Sequence, residues 1–328
     1  MKKSLKTIFF NHLPATFRKG AVLVSVLSIG LLSCETLIND VNPDRLPRSD
    51  NKLVVHGYIS PQDTLISINV YYSSQLVGGI PDLYIGSGPP VSMSDAVVTL
   101  SGEGKSVMIP YNTKTGVYNL KTSEMPIREG KIYDLKVVRG EDIATSSCTV
   151  PKAVAIERIR QDSVDSRSIF SSDPKFVAPK DYLYHIVWSD PAGSANYYRV
   201  GGYVFQTQRV QKSPGTFEEI PNIQNINFRE NSRLGEFVSD EGNDGLLLVS
   251  GAGRFYNYNS SSATNPFVLR YVELTLISCE KTYYDYHRAV QSFDRNNPFS
   301  EPSLIPSNIK NGLGCFAAYN RSTYVLKK

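Results

Sequence analysis

Histidine and cysteine, the usual carriers of zinc and thiol chemistry, are scarce in this chain. Of 328 residues only four are histidine and four are cysteine. No Cys-x-x-Cys pair occurs, so the ligand spacing of a thiolate zinc site is missing. Neither a Gly-x-Ser-x-Gly elbow nor a His-Glu-x-x-His helix is present, which excludes the hydrolases that announce themselves by those motifs. The pairs Gly86-Ser-Gly88 and Gly251-Ala-Gly253 lack the third glycine and the strand-to-helix setting that a dinucleotide requires. No apolar run reaches the roughly 20 residues that cross a hydrocarbon core. Residues 1–33 contain no Asp or Glu at all.

That acid-free start has an order of its own. Lys2, Lys3, Lys6, Arg18 and Lys19 come first, then the apolar run 21–32, then Ser33-Cys34. A basic leader, a short apolar stretch and a small residue make up a secretory signal. The stretch Leu31-Leu32-Ser33-Cys34 resembles the lipobox of bacterial lipoproteins. The resemblance implies cleavage before Cys34 and acylation of its thiol, with Leu32 less usual at its position than Ala, Ser or Thr. An ordinary signal peptide followed by a chance cysteine is the alternative. The whole chain carries 35 basic and 31 acidic residues, and removing the leader leaves 30 against 31. The basic excess therefore belongs to the leader, and no nucleic-acid partner is expected. Each buried methylene adds about 0.8 kcal/mol to membrane attachment, so two or three acyl chains hold a protein firmly. The expected product is a near-neutral body attached to a membrane by lipid.

Residues 34–51 are polar and carry two prolines, too little apolar surface to fold, and read as a tether behind the lipidated Cys34. From 52 to 151 short strands succeed one another. Ile66, Ile68, Val70 and Tyr72 alternate with polar residues; so do Ala96, Val98 and Leu100, and Tyr133, Leu135 and Val137. Further apolar runs lie at 53–59, 107–111, 117–120 and 143–150, with glycine or proline turns between them. About seven strands without a helical period predict an immunoglobulin-like β-sandwich. Residues 73–94 interrupt this rhythm, and their apolar centre Leu83-Tyr84-Ile85 is either a binding loop or an insertion that packs on its neighbour.

Residues 152–328 predict a second, β-rich domain carrying one helix. Strands are expected at 182–188, 197–205, 245–249 and 268–277. The helix is expected at 280–293, where Tyr283, Tyr286, Val290 and Phe293 recur at helical spacing and Ser278 stands ready to cap it. Once Cys34 is acylated, Cys148, Cys279 and Cys315 remain. Either Cys279 pairs with Cys315, or all three are small buried hydrophobes.

The sequences 53–59, 95–100 and 129–135, then 189–193, 196–198, 297–302, 307–314 and 316–319, resemble a Bacteroidota lipoprotein family, domain of unknown function 4249. The glycine-rich block Ser307–Gly314 is the most specific part, and Cys315 follows it where an aliphatic residue is expected. The resemblance implies an outer-membrane lipoprotein that accompanies a TonB-dependent transporter. It brings no catalytic residues and no cofactor.

Within the chain itself, the acidic loop 239–245 offers Asp240, Glu241, Asn243 and Asp244, hard oxygen ligands of the kind calcium takes, although without EF-hand spacing. Such Asp/Asn/Gly clusters also form tight turns on their own account. Tyrosine is abundant at 20 residues, and its pairs could form platforms for sugars or peptides or simply supply amphipathic core residues. The leading expectation is a non-enzymatic binding or assembly module. An envelope hydrolase with a site in the second domain and an adhesive surface protein are the alternatives.

Overall fold

The computed structural model describes residues 51–73, 92–166, 179–229, 232–257, 267–292 and 305–327. Cys34, the expected tether and the loop residues Leu83, Tyr84 and Ile85 lie outside them.

The first sandwich is built from the strands expected of it. Strands β1 (Leu53–Ile59), β2 (Leu65–Tyr72), β3 (Val97–Gly102), β4 (Lys105–Ile109), β5 (Tyr111–Asn112), β6 (Val117–Lys121), β7 (Ile132–Arg139) and β8 (Asp142–Thr149) follow in order. One sheet runs β4-β3-β7-β8; the other contains β1, β2, β6 and β5. Their inner faces close on Val55, Ile68, Val98, Leu100, Tyr118, Tyr133 and Leu135, all buried. These residues sit at every second position, as a half-buried strand requires. The large polar tips are satisfied inside: Tyr118 Oη donates to the Met93 carbonyl, and Tyr133 Oη donates to that of Pro126.

The second half forms another sandwich. Strands β9 (Arg158–Asp165), β10 (Lys180–Ser189), β14 (Leu247–Val249) and β15 (Gly253–Phe255) make a four-stranded sheet centred on β10. It faces β11 (Tyr197–Ser213) and β16 (Phe267–Cys279) across a core of Tyr184, Ile186, Trp188, Tyr198, Val200, Val272 and Leu274. Strand β12 (Thr216–Asn225) returns from β11 as a hairpin, and β13 (Phe237–Ser239) adds to the other end of β11.

The expected boundary at 151/152 falls between the two sandwiches along most of the chain, but the last strand returns to the first core and joins the two halves in one sheet. The last strand, β17 (Gly312–Lys327), pairs in parallel with β1 over residues 312–318 and antiparallel with β16 over 319–327. One nine-stranded sheet therefore runs β12-β11-β16-β17-β1-β2-β6-β5, with β13 beside β11. Residues 305–327 belong to the first sandwich as much as to the second, because Ile309, Phe316 and Ala318 lie in the first core. Parallel pairing with a strand some 250 residues away leaves no local signal.

The helix α1 (Lys281–Ser292) packs on the opposite face of that sheet, where Tyr283 and Tyr284 meet Cys279, Cys315, Ala317 and Phe237. Two expectations for it are corrected. Val290 is exposed, so the buried stripe is narrower than the spacing suggested. Ser278 does not cap: its buried hydroxyl has no partner, and the Tyr284 amide donates instead to the carbonyl of Glu280. The Glu280 carboxylate accepts from the amides of Thr149 and Ala318, joining the end of β8 to β17. No helix among the described residues is long and apolar enough to cross a membrane.

Candidate functional site

Four groups of residues merit attention, beginning with the acidic loop. The fold brings Asp240 and Asp244 together with Asp190, with one carboxylate oxygen of each within 4.8 Å of the others. Glu241 is not part of this cluster, and the Asn243 side-chain amide is turned to the carbonyl of Glu241. Asp190, which the sequence shows only as part of the turn 190–193, is the member that sequence reasoning missed. All three carboxylates are engaged with the chain. Asp190 accepts from Tyr198 Oη at 2.5 Å and from the Gly245 amide at 3.0 Å. Asp240 accepts from the Asn196 amide at 2.8 Å, and Asp244 from the Gly193 amide at 2.9 Å. The cluster staples the β10–β11 turn to loop 240–245. Its carboxylates accept from three backbone amides and from the buried Tyr198 hydroxyl.

The thiols are the second group. Cys148, Cys279 and Cys315 are all free and buried, so the Cys279–Cys315 bridge is not formed. Register explains why. Cys279 lies opposite Tyr319, four residues beyond Cys315 on the same strand. At ~3.3 Å per residue that places Cys315 roughly 13 Å along the strand, whereas a disulfide needs α-carbons within ~7 Å. Burial raises all three thiols, Cys315 to about 12. Thiolate is the reactive form, so the native protein should react with a thiol reagent only slowly. In a chain of residues 34–328 carrying Cys34→Ser, titration should find three thiols after denaturation; one would reveal a bridge.

A third group gathers under α1. His56 Nδ1 lies 2.8 Å from Tyr71 Oη, and its Nε2 lies 2.7 Å from Tyr286 Oη. His287 stacks among Tyr58, Tyr283 and Tyr286, with its Nε2 buried and unpartnered. Burial lowers both histidines, and His287 is pushed down to about 4, with Arg199 and His56 adding to the effect. His185, on β10, places Nδ1 at 3.2 Å from the Ser250 carbonyl. Tyr197-Tyr198 and Tyr283-Tyr284 are not open platforms, since Tyr198, Tyr283 and Tyr284 are core residues. Beside this group Glu236 is clamped by two arginines. Its Oε2 takes Arg199 Nε and Nη2 at 3.3 Å, and its Oε1 takes Arg229 Nη2 at 2.7 Å.

The fourth group is the β11–β12 hairpin. Strand β12 is the outermost strand of the long sheet, and Phe217, Ile220 and Ile223 on it are 46%, 45% and 64% exposed. Register sets Ile223 beside Phe205 and Phe205 beside Tyr271, forming one cross-strand row. Phe205 stacks on Tyr271 with centroids 5.1 Å apart, Tyr203 meets Tyr271 edge-on, and Arg209 covers Phe217 at 4.1 Å. The ion pairs Lys212–Glu218 and Arg270–Glu219 balance the hairpin's charge. Phe217 and Ile223 therefore lie on the same face as Phe205 and Tyr271, while Ile220 points to the opposite face of β12.

No curated protein matches the chain significantly. Among solved structures, a two-domain fibronectin type III segment from chicken tenascin covers 85% of this chain and 100% of its own. It is 12% identical with a TM-score of 0.19, so the fold class rests on the sheets described above. The family model described as Domain of unknown function (DUF4249) matches residues 38–324, and the chain belongs to that family.

Proposed function

We propose that the mature chain is a lipid-anchored outer-membrane protein that works by binding, as an accessory to a TonB-dependent transporter. The observation that carries this reading is the β11–β12 hairpin, where exposed Phe217 and Ile223 share one face with Phe205 and Tyr271, an apolar surface of the kind that marks interaction sites. The leader with Ser33-Cys34 supports the anchor, and the polar stretch 34–51 would give the body reach above the lipid. The carboxylates of Asp190, Asp240 and Asp244 accept backbone and tyrosine donors, which supports a structural role for that cluster.

Two measurements test the two halves of the proposal. Cys34→Ser should move the protein from the membrane fraction to the soluble one. Pull-down from solubilised membranes should recover a transporter with the wild-type chain and lose it with Phe217→Ser/Ile223→Ser. Exposed positions like these shift stability by only about 0.5 kcal/mol each, so loss of the partner would not reflect unfolding. Recovery of no envelope protein by either chain would count against the proposal.

A further inference from the structure

A cleft of about 450 Å³ opens where the edge of β11 passes from β13 to β12, lined among others by Arg199, Gly201, Asn225, Asn227, Arg229 and Glu236. Among the described residues, two guanidinium groups here share the single carboxylate of Glu236, leaving one positive charge in excess. Each guanidinium has five N–H donors in a planar fork. Among the described residues, those of Arg199 bond Glu236 and Tyr283 Oη and those of Arg229 bond Glu236, so donors remain on both. Asn225 and Asn227 add polar side chains to the wall.

The floor carries an independent observation. Gly201 and Gly202 lie within a long strand, where glycine weakens the ladder and has no side chain to pack. Packing accounts for Gly202, because a Cβ there would stand 2.6 Å from the Glu273 carbonyl oxygen. Packing does not account for Gly201, whose Cβ would meet nothing within 4 Å. Gly201 shares a strand face with Arg199, two residues before it, so its missing side chain keeps open the space beside that guanidinium. Glycine in a strand marks a bulge, a bend or a close approach by a ligand or another backbone, and at Gly201 the pairing with β16 runs on without a register shift.

We propose that this cleft binds the carboxylate of a small organic acid or of a peptide's free carboxy terminus, seated on the spare donors of Arg199 and Arg229 over the bare backbone of Gly201. The volume suits a small ligand. Planar arginine forks suit a carboxylate in two-point contact, and the surplus positive charge suits an anion of charge one. The inference does not depend on the anchor or the transporter, and it would survive their failure.

Titration calorimetry on the mature sequence with Cys34→Ser tests it. The probes are acetate and N-acetyl-Gly-Gly with a free or an amidated terminus, all at fixed ionic strength in chloride. The free-terminus peptide is expected to bind at least tenfold more tightly than the amidated one. Acetate binding as well as the peptide would assign the site to small acids; peptide binding alone would assign it to chain termini. Arg229→Gln should weaken binding about tenfold. Gly201→Val should abolish it without lowering the melting temperature, and Gly201→Ala is the milder variant should valine prevent folding. Equal affinity for both peptides, unchanged binding in both Gly201 variants, or no heat with any probe up to 20 mM would each overturn the proposal.

Discussion

Replacing Gly314 by alanine is expected to destabilise the whole molecule more than any other single methyl group would. Gly314 has φ of +107°, a region open essentially to glycine alone. A Cβ built on it would lie 2.1 Å from the carbonyl oxygen of Val55 and 2.9 Å from its carbonyl carbon. Both obstacles are backbone, and both belong to β1, the strand with which β17 pairs in parallel. Relief would require β1 and β17 to separate, and their ladder unites the two sandwiches. Phe316 and Ala318 would leave the first core, while Cys315 and Ala317 would leave the helix face. Strain at such a position costs about 1–3 kcal/mol and overpacking a similar amount, so a loss of about 3–5 kcal/mol is expected. Urea denaturation of the mature sequence with Cys34→Ser would measure it. Both cores should weaken together, because both share β17. A loss under about 1 kcal/mol would mean that the parallel ladder is not held as described.

The same strand shows where sequence reading succeeds and where it stops. Strands β2, β3 and β7 are legible because one face of each is wet, so apolar and polar residues alternate. In Gly314-Cys-Phe-Ala-Ala318 every residue is buried, since Phe316 and Ala318 face the first core while Cys315 and Ala317 lie under α1. A strand buried on both faces has no alternation to read. The glycine-rich block before it carries the strongest family resemblance, and the structure gives it a packing role. The Asn308 side chain accepts from the Phe316 amide and donates to the Phe316 carbonyl, acting as a substitute strand partner. Strand β12 was illegible for the opposite reason: it is exposed along nearly its whole length, and it contains Pro221. Proline is tolerated there because β12 is an edge strand.

Much less of the polar chemistry was legible. Asp240 and Asp244 stand out in a short acidic loop, whereas Asp190 lies 50 residues away in what reads as an ordinary turn. Arg199, Arg229 and Glu236 are unremarkable charges in the sequence, and only the pairing of β11 with β13 brings them together. Gly201 and Gly202 look alike in the sequence. What separates them is the Glu273 backbone, which crowds one and not the other.

Acid should destabilise this protein through His287, with a sign that follows from its surroundings. The ring lies between Tyr58 of β1 and Tyr283 and Tyr286 of α1, and Arg199 of β11 and His56 of β1 both disfavour its charge. Burial is the largest cause, and together these lower its pKa from 6.5 to about 4. Between pH 6.5 and 4 the unfolded chain binds a proton that the folded one refuses. Stability contributed by the neutral ring is therefore complete above pH 6.5, is lost as pH falls towards 4, and changes no further below that. At 1.36 kcal/mol per unit, discounted for partial exposure, the loss is about 2–3 kcal/mol. His56 titrates in the same direction, its pKa also lowered by burial. Glu280 opposes both: burial raises its pKa, so protonating it favours the folded state as pH falls. The two contributions separate in a variant. His287→Phe keeps an aromatic ring among the tyrosines and removes the titration, so its denaturation midpoint should fall far less than that of wild type between pH 6.5 and 4.5. Parallel pH profiles for the two proteins would show that His287 takes up its proton without opening the packing of α1 on the sheet.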